Sequence, residues 1–128
     1  MKEKQRPLSP FMIGPYYKPQ LTSMMSIAHR ATGVFLSLVG APLLLWWLLA
    51  VSSGPEAYAG LAAFAGSGFG MLLLAISLFC LNYHLLNGIR HLVWDSVRAM
   101  DLRSVYTGGW LVLAGSVALT AIVLGVAL

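Results

Sequence analysis

The sequence predicts an all-α integral membrane protein with three transmembrane helices, on three observations. Of its 128 residues 59% are hydrophobic and only 9% charged, with a mean hydropathy of +0.80, far from the composition of a soluble domain. Charge is absent between Arg30 and Glu56, absent between Glu56 and Arg90 apart from the ionisable His84, and absent after Arg103. Each gap is long enough for the ~20 apolar residues that cross a bilayer core. Basic residues alternate from one connection to the next: Lys2, Lys4, Arg6, Lys18 and Arg30 precede the first gap, none lies over 52–63, and Arg90, Arg98 and Arg103 lie between the second and third.

The chain opens on an arm, 1–21, interrupted by Pro7, Pro10, Pro15 and Pro19. So many prolines forbid the amphipathic helix of an organelle transit peptide. A cleavable signal peptide is also not expected, although Ala50-Val51-Ser52 has the small residues of a cleavage site, because the leader is long and the apolar run exceeds an h-region. The anchor domain, 22–128, then carries spans at about 31–52, 64–89 and 105–127. By the positive-inside rule the N-terminus and the 90–104 connection are cytoplasmic, and the 52–63 connection and C-terminus face the other side. Tyr16, Tyr17, Trp94, Tyr106 and Trp110 form one aromatic belt, and Trp46, Trp47 and Tyr58 the other. The formal charge of +4 therefore reports topology and lipid head groups, with no nucleic-acid partner expected. Cys80 is the single cysteine, which excludes an intrachain disulfide and the C-x-x-C-H of covalent haem.

Chemistry concentrates in two stretches. The first is SIAHRATG, 26–33. With Thr22 or Ser23 capping the helix, Ser26 and Arg30 lie one turn apart on one face, His29 stands about 60° to the side, and Gly33 and Ser37 continue the stripe. Such a face can meet a ligand or another helix; an arginine snorkelling to the interface explains it equally well. The second is YHLLNGIRHLVWD, 83–95. Counting in sevens from Gly70 gives Ser77, His84 and His91, with Gly66, Gly88 and Asp95 beside them, which reads as the only polar face of the second span and points into the bundle. Gly66 and Gly70 form a G-x-x-x-G pair that supports close packing there. His84 lies about two turns inside Arg90 and His91, beneath the interface. Proton relay, a structural hydrogen bond and haem ligation all compete for it. Gly88 leaves space for a flat macrocycle one turn away, and His29, Arg30, Arg90 and His91 form a cationic cluster suited to its propionates.

RPLSP at 6–10, LTSMMSIAHRATG at 21–33 and HLLNGIRHLVWD at 84–95 together resemble the cytochrome b subunit of succinate dehydrogenase, a membrane anchor of respiratory complex II. The likeness covers nearly the whole chain. It departs in the arm, where Phe11 follows Pro10 in place of the family's histidine, and in GPYYKPQ. The resemblance implies an anchor within a heteromeric helical bundle of the bacterial inner membrane. Its implied partners are a second membrane anchor, an iron-sulfur subunit, a flavoprotein subunit and the lipid bilayer. It implies a place in electron transport and the tricarboxylic acid cycle, as the subunit that does not bind succinate. It further implies haem b, shared with the second anchor, and ubiquinone as substrate. Ser26 and Arg30 match the family's quinone-binding pair; His84 matches the axial ligand of the haem iron; and His29, Arg30 and His91 fall where propionate contacts are expected. A haem-free quinone-binding or structural anchor and the anchor of a related fumarate reductase are the rival readings. A proton-coupled transporter is disfavoured because Glu3, Glu56, Asp95 and Asp101 all lie outside the spans or at their ends.

Overall fold

The computed structural model describes residues 20–128. The division at residue 21, and with it the arm and its Tyr16 and Tyr17, falls almost wholly outside them. The described chain is helical: α1 (Leu21–Phe35), a π-turn (Leu36–Gly40), α2 (Ala41–Ser53), α3 (Pro55–Gly66), α4 (Gly68–Asp95) and α5 (Leu102–Ala127). Among the described residues, three stretches are long and apolar enough to cross a membrane, Leu21–Ser53, Gly68–Asp95 and Leu102–Ala127.

The first of these is one rod built from α1, the π-turn and α2. It starts at Leu21, after a Gln20 cap that gives no side-chain bond, so Thr22 and Ser23 are helical residues and not the cap that the sequence suggests. The π-turn has a local cause. Pro42 offers no N–H and its ring presses on the carbonyl four residues back, and one extra residue in the preceding turn relieves that clash. Ser37 completes the arrangement by donating its hydroxyl to the Gly33 carbonyl at 2.9 Å.

Gly54 ends the rod at φ +111°, a conformation costly for any residue with a Cβ, and Pro55 opens α3 at the first helical position, where its missing N–H costs nothing. The 52–63 connection is thus largely helical. At 12 residues, about 18 Å, α3 is too short to span; it folds back against α2 and α4, with the Trp46 and Phe64 rings 5.1 Å apart.

Ser67 makes the corner into α4, accepting the Gly70 N–H at 3.1 Å and donating to the Phe64 carbonyl at 2.6 Å. This corner corrects the G-x-x-x-G reading: Gly66 and Gly70 belong to different helices, a Cβ on Gly66 would meet nothing, and one on Gly70 would run into the Phe64 backbone carbonyl. Gly70→Ala is therefore expected to destabilise the protein by about 2 kcal/mol or more, since backbone must shift. Gly60→Ala, which meets nothing within 4 Å, is the control; equal melting temperatures for the two variants would refute the assignment.

The core lies where α1, α4 and α5 cross. Met25, Tyr83 and Val112 form its buried centre, flanked by Leu21, Phe79 and Leu86. The Tyr83 hydroxyl donates to the Met25 carbonyl at 2.8 Å. Gly109 supplies the close approach: a Cβ there would lie 3.0 Å from Met25 Sδ and 3.2 Å from Leu21. Deeper along the same pair of helices, Asn82 donates to Thr120 Oγ1 at 3.1 Å. The α4–α5 loop places Val97 and Ala99 at φ 59° and 55°, uncommon for side-chain-bearing residues. Asp101 caps α5 by accepting the Ser104 N–H at 3.1 Å, and hydrogen bonding from Ser104 holds its carboxyl below the usual carboxylate range. Outside this core the helices expose Leu, Ile, Val and Trp side chains, as a surface meeting lipid or other membrane helices does.

Candidate functional site

The early start of α1 decides the site. His29 sits eight residues into the helix, about 12 Å along its axis. That brings it down to the level of His84, and not only to the mouth beside His91 as the apolar boundary suggests. The His29 and His84 rings stack face to face, centroids 3.9 Å apart and planes 8° from parallel. His91 lies 5.5 Å from His29 and stands nearly perpendicular to the Trp94 ring, centroids 5.0 Å apart. His29, 55 residues before His84, thus joins His84 and His91 of α4 in one cluster.

The proton on His84 can be located from its neighbours. Thr32 donates its hydroxyl to the His29 carbonyl at 2.9 Å, so towards His84 its oxygen can only accept. His84 Nδ1 lies 3.2 Å from that oxygen and 3.1 Å from the His29 carbonyl oxygen. Both partners being acceptors, Nδ1 carries the hydrogen, so that in the neutral ring the lone pair is on Nε2, the tautomer an imidazole needs to bind a metal through Nε2. Thr32 had no assigned role in the sequence, although its place three residues after His29 sets it on the same side of the helix. Gly33 is required by the ring: a Cβ there would stand 3.0 Å from His84 Cε1.

Beside His84 opens a groove of about 640 Å³ lined by Arg30, Gly33, Val34, Ser37, Leu38 and His84. Arg30 is exposed on its lip, and Ser26, one turn earlier, is half-buried outside it. Gly88 meets nothing within 4 Å where its Cβ would stand. His29 Nδ1 is buried without a partner among the described residues.

Arg90 is elsewhere. Instead of joining the cluster of Arg30 and the histidines it turns into the core, where it is 7% exposed. It donates to Asn87 Oδ1 at 3.2 Å and to the Val105 carbonyl at 2.9 Å and lies 4.2 Å above the Trp94 ring. The stripe counted from Gly70 is accordingly not the only polar face of α4. Tyr83, Asn87 and Arg90 form a second, at spacings of four and three, and Asn87 is completely buried. The readable signal was that spacing together with Gly108-Gly109, which notch α5 where Arg90 enters.

Comparison with known proteins identifies the family. Residues 2–123 match the family model described as the succinate dehydrogenase/fumarate reductase transmembrane subunit. The chain is 41% identical over 116 residues to the succinate dehydrogenase cytochrome b556 subunit of Rickettsia typhi, covering 91% of this chain and 88% of that one. It is 35% identical over 119 residues to the cytochrome b556 subunit of Paracoccus denitrificans, covering 93% and 89%. Against the cytochrome b560 subunit of Marchantia polymorpha it is 38% identical over 116 residues, covering 84% and 80%. With three membrane-spanning helices and a match along almost its whole length, the chain belongs to the succinate dehydrogenase/fumarate reductase transmembrane subunit family, among its succinate dehydrogenase cytochrome b subunits.

Proposed function

We propose that the chain anchors a succinate:ubiquinone oxidoreductase in the bacterial inner membrane, with haem b held against His84 and ubiquinone reduced near Ser26 and Arg30. The observation that carries the haem reading is the His84 hydrogen bond to the His29 carbonyl, which leaves Nε2 free as a metal ligand. The Nδ1 of His29, buried and unpartnered among the described residues, adds a group that suits a propionate, as do Arg30 on the groove's lip and His91 next to His29. When bound, haem b supplies a one-electron carrier, whose potential the protein tunes through ligand, hydrogen bonds and burial.

Quinone reduction needs two electrons and two protons. The Ser26 hydroxyl can donate to a carbonyl oxygen, and Arg30, which cannot lose its proton, stabilises negative charge developing there in a site of low dielectric. Succinate oxidation and the supply of electrons belong to flavoprotein and iron-sulfur partners. A second anchor would contribute the other haem ligand and the helices that close the groove.

The reduced-minus-oxidised visible spectrum of the purified complex tests the haem reading. A b-type α-band is expected; a complex without it would leave a haem-free quinone-binding anchor. The orientation, with the N-terminus and the 90–104 stretch that holds the α4–α5 loop cytoplasmic and the C-terminus periplasmic, is tested by a cysteine added after Leu128 in a Cys80→Ser background. Labelling from the periplasmic side only is expected, and labelling from the cytoplasm only would overturn the topology.

A further inference from the structure

Arg90 is a permanent cation with no anion to balance it among the described residues. Its partners are an amide oxygen, a backbone carbonyl, the Met25 thioether at 3.7 Å and the face of Trp94, and none of them carries a negative charge. Its Nε has no partner among the described residues and faces Gly108, where a Cβ would stand 3.5 Å away. Burying a charge without a counter-ion is costly, and an ionisable group kept inside a membrane bundle despite that cost points to function. Packing alone would be served as well by methionine or leucine.

The ring contacts connect this cation to the proposed cofactor. Arg90 lies on Trp94, Trp94 meets His91, His91 meets His29, and His29 stacks on His84. Along α4 the guanidinium's residue is six positions from His84, about 9 Å of axial rise. Apolar surroundings and lipid screen the charge far less than water does.

We propose that Arg90 is a fixed internal cation that raises the reduction potential of the haem without touching it, while its hydrogen bonds hold α5 against α4. This rests on the haem reading given above. Reduction of the iron adds an electron, so a nearby positive charge favours the reduced form. At an effective dielectric of about 20, a unit charge would change a one-electron equilibrium roughly tenfold if it stood about 12 Å from the redox centre, equivalent to ~59 mV.

A spectroelectrochemical titration of the purified complex reads this directly. Arg90→Gln is expected to lower the haem midpoint by about that tenfold factor with the b-type spectrum retained, and Arg90→Lys, which keeps the charge but not the planar fork, to restore more than half of it. Gly108→Asp neutralises the cation from the α5 side with Arg90 intact, and is expected to lower the midpoint in the same direction. An unmoved midpoint in Arg90→Gln, or one that falls equally in Arg90→Lys, overturns the proposal and leaves the haem reading standing. If Arg90→Gln does not assemble, Gly108→Asp decides by the same criterion. Loss of the complex in all three variants would make the cluster purely structural and would also overturn it. A wild-type complex with no b-type band removes both readings together.

Discussion

Replacing His84 with alanine is expected to abolish the b-type haem signal of the purified complex, or to leave a weakened signal with altered ligation, whereas His91→Ala should retain the haem with a shifted potential. The difference follows from position. His84 Nδ1 is committed to the His29 carbonyl at 3.1 Å, which fixes its ring and frees Nε2. His91, on nearly the same helix face but about 10.5 Å along the axis, cannot reach the same iron. The close stack of His29 on His84 does not supply the second axial ligand either. An imidazole binds metal through a lone pair in its own plane, so two parallel rings lying face to face cannot grip one iron from opposite sides. On the haem reading proposed above, the second ligand is therefore expected from another chain. The stack does make His29 the natural substitute when His84 is removed, so the double variant His84→Ala, His29→Gln should lose any residual haem. Intact bis-histidine haem in this chain purified without a partner would defeat this account. Gly33→Ala gives a milder version, because the added methyl would crowd His84 Cε1 at 3.0 Å and must displace the ring.

How much of this could be read from the sequence differs by feature, for physical reasons. Charge-free runs report where lipid lies, so the three spanning helices were legible in composition and in the alternation of Arg and Lys. A helix, however, does not stop where its apolar run stops. Leu21 and Met25 lie before the charge-free segment, yet they are helical because they pack into the notch at Gly109, a contact set by a residue on the last helix. That early start carries His29 into contact with His84. The short α3 was hidden for the opposite reason: its Ala- and Gly-rich sequence shows no periodicity, and only Gly54 and Pro55 mark the break before it. The π-turn had a sequence signal in Ser37 and Pro42 that was readable in retrospect. Arg90 was misread because a sequence count treats every arginine near a span's end as facing water. Its neighbours at 83 and 87 show that it follows the buried stripe instead.

The largest effect on turnover is expected at Arg30. Arg30→Ala should lower ubiquinone reduction by about 10²–10³-fold, the range seen when a donor to a developing oxyanion is lost, while succinate oxidation with an artificial acceptor stays near wild type. Arg30 is on the lip of the groove that His84 lines, exposed in this chain and so free to reach a quinone head or a partner's surface. Ser26, a full turn earlier on the same helix face, is half-buried, and Ser26→Ala should cost less, since it removes a neutral donor. Arg30→Lys should fall between, keeping the charge but not the two-pronged donor set. Because Arg30 is also a candidate propionate contact, the haem spectrum is recorded on each variant. Slow quinone reduction with the b-type band intact assigns Arg30 to the quinone. Loss of the band in parallel with activity would assign it to haem retention, and full ubiquinone turnover in both Arg30→Ala and Ser26→Ala would remove the pair from the site.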